Sequence, residues 1–131
     1  MRRLTALMLP LVLGCSLTTP KDPEHVALKI AQSHAFSEFT LTFIDVENDS
    51  RCPAQMMCVW AGNVQVAVTA VDHSLRIAIL AAKQFLNTNS EPRSLKVAGV
   101  TLALDSVTPP RITADSIPQA NYTAYFTVTR P

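Results

Sequence analysis

Glycine is scarce in this chain of 131 residues, with only Gly14, Gly62 and Gly99. A loop that wraps phosphate needs several glycines close together, so a phosphate-cradling nucleotide site has nowhere to form. Charge is thin as well, at 16% of residues, and balanced, with 11 basic against 10 acidic side chains. A chain that tracks nucleic acid carries a basic excess or stripe, and this composition excludes that partner. No uninterrupted apolar run reaches the ~20 residues that a membrane-crossing helix requires. Internal repeats are absent, and so is a G-x-S-x-G nucleophile elbow. Three histidines, His25, His34 and His73, accompany many serines, and Asp72 precedes His73. Catalysis of the Ser-His-Asp kind needs convergence that no spacing here indicates, so these read as surface histidines. No catalytic residue and no cofactor is expected.

What is present begins at the N-terminus. Arg2 and Arg3 precede an apolar run from Leu4 to Leu13, broken by Thr5 and Pro10. That is the charged and short apolar sequence of an export signal. It ends in Val12-Leu13-Gly14-Cys15, which resembles the lipobox of bacterial lipoproteins, in which a small residue precedes a cysteine that is diacylated before cleavage. The resemblance implies a signal peptide over residues 1–14 and lipidation of Cys15, with the lipid bilayer as partner. Each buried CH₂ contributes ~0.8 kcal/mol, so several acyl chains hold stably where one is marginal. Ser16 stands where an aspartate would imply inner-membrane retention under the lipoprotein sorting rule. The outer membrane, on its periplasmic side, is therefore expected in a cell with two membranes. Residues 15–24 carry Pro20 and Pro23 among polar neighbours and read as a lipidated N-terminus and flexible tether. Residues 25–131 suffice for one domain with a single core.

If lipid consumes Cys15, two cysteines remain in an oxidising compartment, where thiols pair. Cys52 and Cys58 then read as a staple closing a small loop, worth about 2 kcal/mol by chain entropy. As a metal clamp the pair lacks the shorter spacing and second ligand pair of zinc sites. As a redox pair it lacks the C-x-x-C spacing.

The rest of the chain alternates. Val26, Leu28 and Ile30 share one face, as do Phe39, Leu41 and Phe43; Val64, Val66 and Val68; Val100, Leu102 and Leu104; and Tyr122, Ala124, Phe126 and Val128. Period two over runs rich in valine, threonine and aromatics is the signature of half-buried strands. Short strands separated by turns predict an all-β fold, a small antiparallel sandwich or barrel of about six to seven strands with one disulfide-stapled loop. Turns are expected at residues 32–37, at Asp72-His73-Ser74, at Ala98-Gly99 and at Thr108-Pro109-Pro110. Residues 75–86 start as a strand but contain the helix formers Ala81, Ala82, Lys83 and Gln84. A strand to about Leu80, followed by a loop or one helical turn, is expected there.

The centre of the chain reads D-S-R-C-P-A-Q-M-M-C-V-W-A-G-N over residues 49–63. Asp49 and Ser50 suit a turn, Pro53 holds φ after the first half-cystine, and Gly62 permits a bulge or left-handed residue. Trp60 has the area to cap one end of a small core, and Arg51 can pair with Asp49 or a carbonyl. The pattern D-S-R-C-P-x4-C-x-W-A-G, preceded by FTLTFIDVEN and followed by LDSVTPP and NYTAYFTV, resembles a family of small bacterial exported domains and lipoproteins of unknown function. The resemblance spans roughly residues 25–129 and implies a disulfide-bearing β-domain outside the cytoplasm. It supplies no catalytic or ligand residues.

Arg51, Met56, Met57 and Trp60 form the candidate interaction loop, since arginine, tryptophan and methionine are enriched at interface cores. The expected function is a non-enzymatic binding or structural module, lipid-anchored in the cell envelope, whose partner is another envelope protein or a glycan. Two other classes are weighed beside it. Met56 and Met57, with a histidine from a neighbouring turn, offer soft ligands to Cu(I) in a periplasmic metal-handling protein. An envelope hydrolase or a protease inhibitor is the third.

Overall fold

The computed structural model describes residues 22–74 and 82–131. The signal segment, Cys15 and the tether as far as Lys21 lie outside the described residues, as does the strand expected over 75–80. The described residues form eight strands: β1 (Glu24–Lys29), β2 (Ser33–Ala35), β3 (Phe39–Asp49), β4 (Val64–Asp72), β5 (Gln84–Asn87), β6 (Ser94–Val97), β7 (Val100–Thr108) and β8 (Thr123–Thr129). They make two antiparallel four-stranded sheets in the orders β1-β8-β7-β6 and β2-β3-β4-β5. The fold is an all-β sandwich. Each strand follows its sequence neighbour round the sandwich, the chain passes between sheets at two corners, and β8 returns beside β1.

Two local readings are corrected. The stretch expected as a turn over residues 32–37 contains β2, whose three residues are too few to display a period. Gln84 belongs to a strand rather than to a helical turn, because the open edge of β4 offers a ladder in which Leu86 opposite Val66 is fully buried. Strand formation there follows the available pairing, not the propensity of the residue. The Ala98-Gly99 turn is as expected. Both residues have positive φ, 49° and 79°, which joins β6 to β7 with the twist a two-residue hairpin needs.

The alternating apolar residues meet between the sheets. Phe39, Leu41 and Phe43 from β3, Val64, Val66 and Val68 from β4, and Phe126 and Val128 from β8 are fully buried. Phe43 meets Phe126 edge to face across the gap, with ring centroids 6.3 Å apart. Burial of each such side chain contributes roughly 1.5–3 kcal/mol, so this layer is the main source of stability.

Bulges interrupt the alternation at three places. In β3 the register shifts between Phe43 and Asp45 and again between Val46 and Asn48; in β7 it shifts between Leu104 and Ser106. Each extra residue reverses which face the following side chains take. Along β3 the residues opposite the buried Val68, Val66 and Val64 are therefore Phe43, Val46 and Asp49. The two bulges thus put Val46 on the inner face in place of Asp45 and Glu47, and the second returns the strand to its first parity, so that Asp49 faces inward at its end as Phe39, Leu41 and Phe43 do.

The sandwich has two distinct ends. At one, Arg130 joins the start of β1 to the β2–β3 turn. Its Nε donates to Glu38 Oε1 at 2.6 Å, and its Nη2 donates to Glu38 Oε2 and Glu24 Oε2 at 2.9 and 3.1 Å. The hydrogen bond from Arg130 is the main reason the Glu38 carboxyl is held down to about 2. At the other end, some ten residues along β3 and roughly 33 Å away at about 3.3 Å per residue, lies the stapled loop.

Candidate functional site

The loop between β3 and β4 is braced from three directions. Cys52 and Cys58 are disulfide-bonded. At its base the β3–β4 ladder continues in looser form, with Ser50 N–H donating to Asn63 O at 2.8 Å and Cys52 N–H to Ala61 O at 3.0 Å. On its far side Ala54 N–H and Gln55 N–H donate to Arg111 O and Ile112 O at 2.9 and 3.3 Å, stitching the loop to the β7–β8 connection. Arg111 completes the brace by donating from Nη1 to Asp49 O and from Nη2 to Ala114 O, at 2.9 and 2.8 Å.

Beneath the loop is a partly buried polar group centred on Asp49. Its Oδ2 accepts from Arg51 Nη2 at 2.6 Å and from the Tyr122 hydroxyl at 3.0 Å, while its Oδ1 accepts from Arg51 Nε at 2.9 Å. Arg51 Nη1 donates to Val107 O at 2.8 Å, which ties the pair to β7. Burial pushes the Asp49 carboxyl up, but the bonds from Arg51 and Tyr122 outweigh it and leave the group below its ordinary range. Burial, then the bond to Asp49, pushes the Tyr122 phenol up to about 12.

That shift has a definite sign. A phenol whose folded pKa lies above its ordinary value of 10.0 lends stability that is whole below pH 10 and is lost as pH rises toward 12. Two pKa units correspond to about 2–3 kcal/mol. Urea midpoints measured across this range are expected to fall more steeply for the native protein than for Tyr122→Phe, and parallel curves would refute the assignment.

Arg51 therefore serves the loop chiefly as a brace, while still bordering the hollow over the disulfide. Its side chain is 17% exposed and wholly engaged in holding the loop down. Trp60 is also placed differently from expectation: it caps no core and is 78% exposed. The braces close the core beneath the loop with Asp49, Arg51 and Tyr122, leaving the indole outside. Met56 and Met57 point outward too, at 54% and 102% exposure. Sequence reasoning missed two neighbours, Val59 at 103% and Ile112 at 50%. Val59 was legible in principle, lying between a half-cystine and an exposed indole. Ile112 had no signal, since only the bonds to the loop bring its segment alongside.

Trp60 stands between two open hollows. One, of about 370 Å³, runs over the disulfide toward Arg111; the other, of about 680 Å³, runs toward Asn89 and Ser90. Asn89 closes the second hollow from below, its N–H donating to Asn63 Oδ1 at 2.9 Å and its Nδ2 to Gly62 O at 2.6 Å.

The histidines do not join this site. His25 lies opposite Thr127, His34 opposite Leu41 and His73 just beyond Asp72, which pairs with Phe39 at the other end of β3. The histidine that a Cu(I) reading of Met56 and Met57 calls for is not brought to the loop. Nor do Asp72, His73 and Ser74 converge, because Asp72 Oδ1 accepts from Ser74 while His73 Nε2 bonds to Thr40 Oγ1 at 2.8 Å. His25 Nδ1 meets Thr127 Oγ1, which in turn donates to Asp105 Oδ2, but this chain lies exposed on the outer face of its sheet. Among the described residues no group of three or more histidine, cysteine, aspartate or glutamate side chains is arranged to hold a metal ion, and no helix is long and apolar enough to cross a membrane.

The architecture and the braced loop define an antiparallel β-sandwich with a disulfide-stapled, apolar-tipped connection. No family model matches the chain, and neither a curated protein nor a solved structure is found to be similar to it.

Proposed function

We propose that this protein is a lipid-anchored binding module of the bacterial cell envelope, acting without catalysis through the outer side of its stapled loop. The observation that carries the reading is the joint exposure of Met56, Met57, Val59 and Trp60 on a loop whose backbone is tied at its base, its side and its disulfide. Large apolar side chains brought together at the surface cost solubility and mark contact sites. A rigid loop loses little conformational entropy on binding, which favours affinity.

The lipobox-like Cys15 and the resemblance of residues 49–63 to a motif of exported domains support the location. The placement of the strands supports an orientation. A tether over residues 16–23 enters the sandwich at Glu24, beside Arg130 and Glu38, so acylation of Cys15 mounts the stapled loop at the end away from the bilayer. Such a loop meets partners from the envelope space rather than the lipid that holds the anchor.

A photoreactive phenylalanine analogue at position 57, introduced in cells, tests this. Irradiation is expected to give a discrete adduct in the membrane fraction, whereas the same analogue at Lys96, exposed on β6, gives none. Intact-mass measurement of the same material is expected to show acylated Cys15. Absence of an adduct at position 57, or equal labelling at both positions, would remove the loop as the binding surface.

A further inference from the structure

From the second hollow beside Trp60 we infer a ligand class, resting on the reading of the loop as a binding surface: the groove between Trp60 and Asn89 binds a neutral saccharide. Three features converge on it. The first is the indole, which is 78% exposed and forms one wall of the 680 Å³ groove. An aromatic face carries negative charge density and receives the polarised C–H face of a pyranose ring as it does the edge of another ring.

The second is what the opposite wall offers. Asn89 spends both its N–H and its Nδ2 on holding Asn63 and Gly62. Its Oδ1 and the hydroxyl of Ser90 make no hydrogen bond among the described residues, and both residues border the groove. An acceptor fixed by its own internal bonds, beside a hydroxyl able to donate or accept, suits the paired hydroxyls or the acetamido group of a sugar. The few oriented polar groups beside an apolar wall are the ordinary make-up of a small-molecule site.

The third is charge. None of the residues lining the groove is ionisable, and the arginines that border the adjoining hollow are engaged, Arg51 with Asp49 and Arg111 with backbone carbonyls. A ligand of either sign would lose hydration without gaining a counter-charge, whereas a neutral polyhydroxylated ligand exchanges water hydrogen bonds for protein ones. Gly62 lets the chain pass close against Ser50 at the edge of the groove. Its φ of 76° and the carbonyl of Ser50, 1.9 Å from where a β-carbon would lie, leave no room for a side chain there.

Trp60 is the chain's single tryptophan, so its fluorescence reports on the two hollows it borders and on no other part of the molecule. The full-length protein in a detergent without a sugar headgroup is titrated with N-acetylglucosamine oligomers, maltohexaose and cellohexaose. The anionic oligogalacturonate and the cationic deacetylated glucosamine oligomer serve as charged counterparts. At least one neutral series is expected to shift the emission saturably, with Kd on the order of 1 mM for so open a site, and the charged counterparts to bind more weakly. Because the Trp60→Ala variant is silent in fluorescence, it is compared by calorimetry, where at least about a tenfold loss of affinity is expected, with Trp60→Phe between it and the native protein. An unchanged melting temperature in Trp60→Ala shows that the loss is local. Failure of every neutral oligomer to saturate, tighter binding of a charged counterpart, or undiminished binding by Trp60→Ala overturns the inference. A protein adduct from position 57 in the absence of any sugar binding would leave the binding-module reading standing and remove only the saccharide.

Discussion

Replacing Asp49 with alanine is expected to destabilise the domain by about 2–3 kcal/mol, the cost of leaving the hydrogen-bonded partners of a partly buried carboxylate unsatisfied. The carboxylate is 9% exposed and accepts from Arg51 and Tyr122 at once. Its removal leaves a partly buried guanidinium and a phenol without their shared acceptor, and an unsatisfied partner costs more than the pair itself contributes. Adding Arg51→Met to Asp49→Ala is therefore expected to restore part of the lost stability, since both charges then leave the site. The coupling is read from urea unfolding of the native protein, the two single variants and the double variant. A loss under about 1 kcal/mol in Asp49→Ala would show that the group is solvated and that the loop is held by its other braces. Acid should expose the same dependence. The folded Asp49 pKa is depressed, so its contribution is complete above the ordinary carboxylate range and is lost as pH falls through the folded value.

The second large effect is expected at Gly62. A β-carbon built there would lie 1.9 Å from Ser50 O and 2.7 Å from Arg51 Cα, against backbone that cannot rotate away. The positive φ adds a further roughly 1–2 kcal/mol for any L-residue with a side chain. Relief requires Ser50 and Asn63 to separate, which breaks the bonds that continue the β3–β4 ladder into the loop. Gly62→Ala is expected to cost about 3 kcal/mol or more. Gly99→Ala serves as the control, because nothing lies within 4 Å of its added carbon and only the conformational cost applies. Similar urea midpoints for the two variants would show that the loop base yields easily. The loop would then not be the rigid element that the proposed binding surface needs.

Much of this architecture is legible from residue order. Phe39, Leu41 and Phe43, with Val64, Val66 and Val68, announce their strands because the period of two is a local property of extended backbone. The staple is legible for a similar reason: its two cysteines are close in sequence, and only a turn between them is needed for their bond. Weak or interrupted patterns are another matter. β2 is too short to show a period, and Gln84 favours a helix until β4 offers it an edge.

The candidate site divides along the same line. Residue types alone mark Cys52, Cys58, Met56, Met57 and Trp60 as belonging to one loop, and the positive φ at Gly62 is a choice only glycine makes cheaply. Which of these side chains face water is decided elsewhere. The bulges in β3 carry no glycine or proline to announce them, yet they reverse the parity of the strand twice, so that Val46 takes the inner face in place of Asp45 and Glu47 before Asp49 returns to it beside Arg51 and Tyr122. Asp49 and Tyr122 are far apart in the chain, and their meeting requires two sheets to close over a common core. With that buried group sealing the end of the sandwich, no space remains for the indole, and Trp60 is left on the surface beside Asn89 and Ser90. Local chemistry therefore determines the strands, the staple and the membership of the loop. The direction in which each loop side chain points is a property of long-range packing, because it depends on which partners reach the interior first.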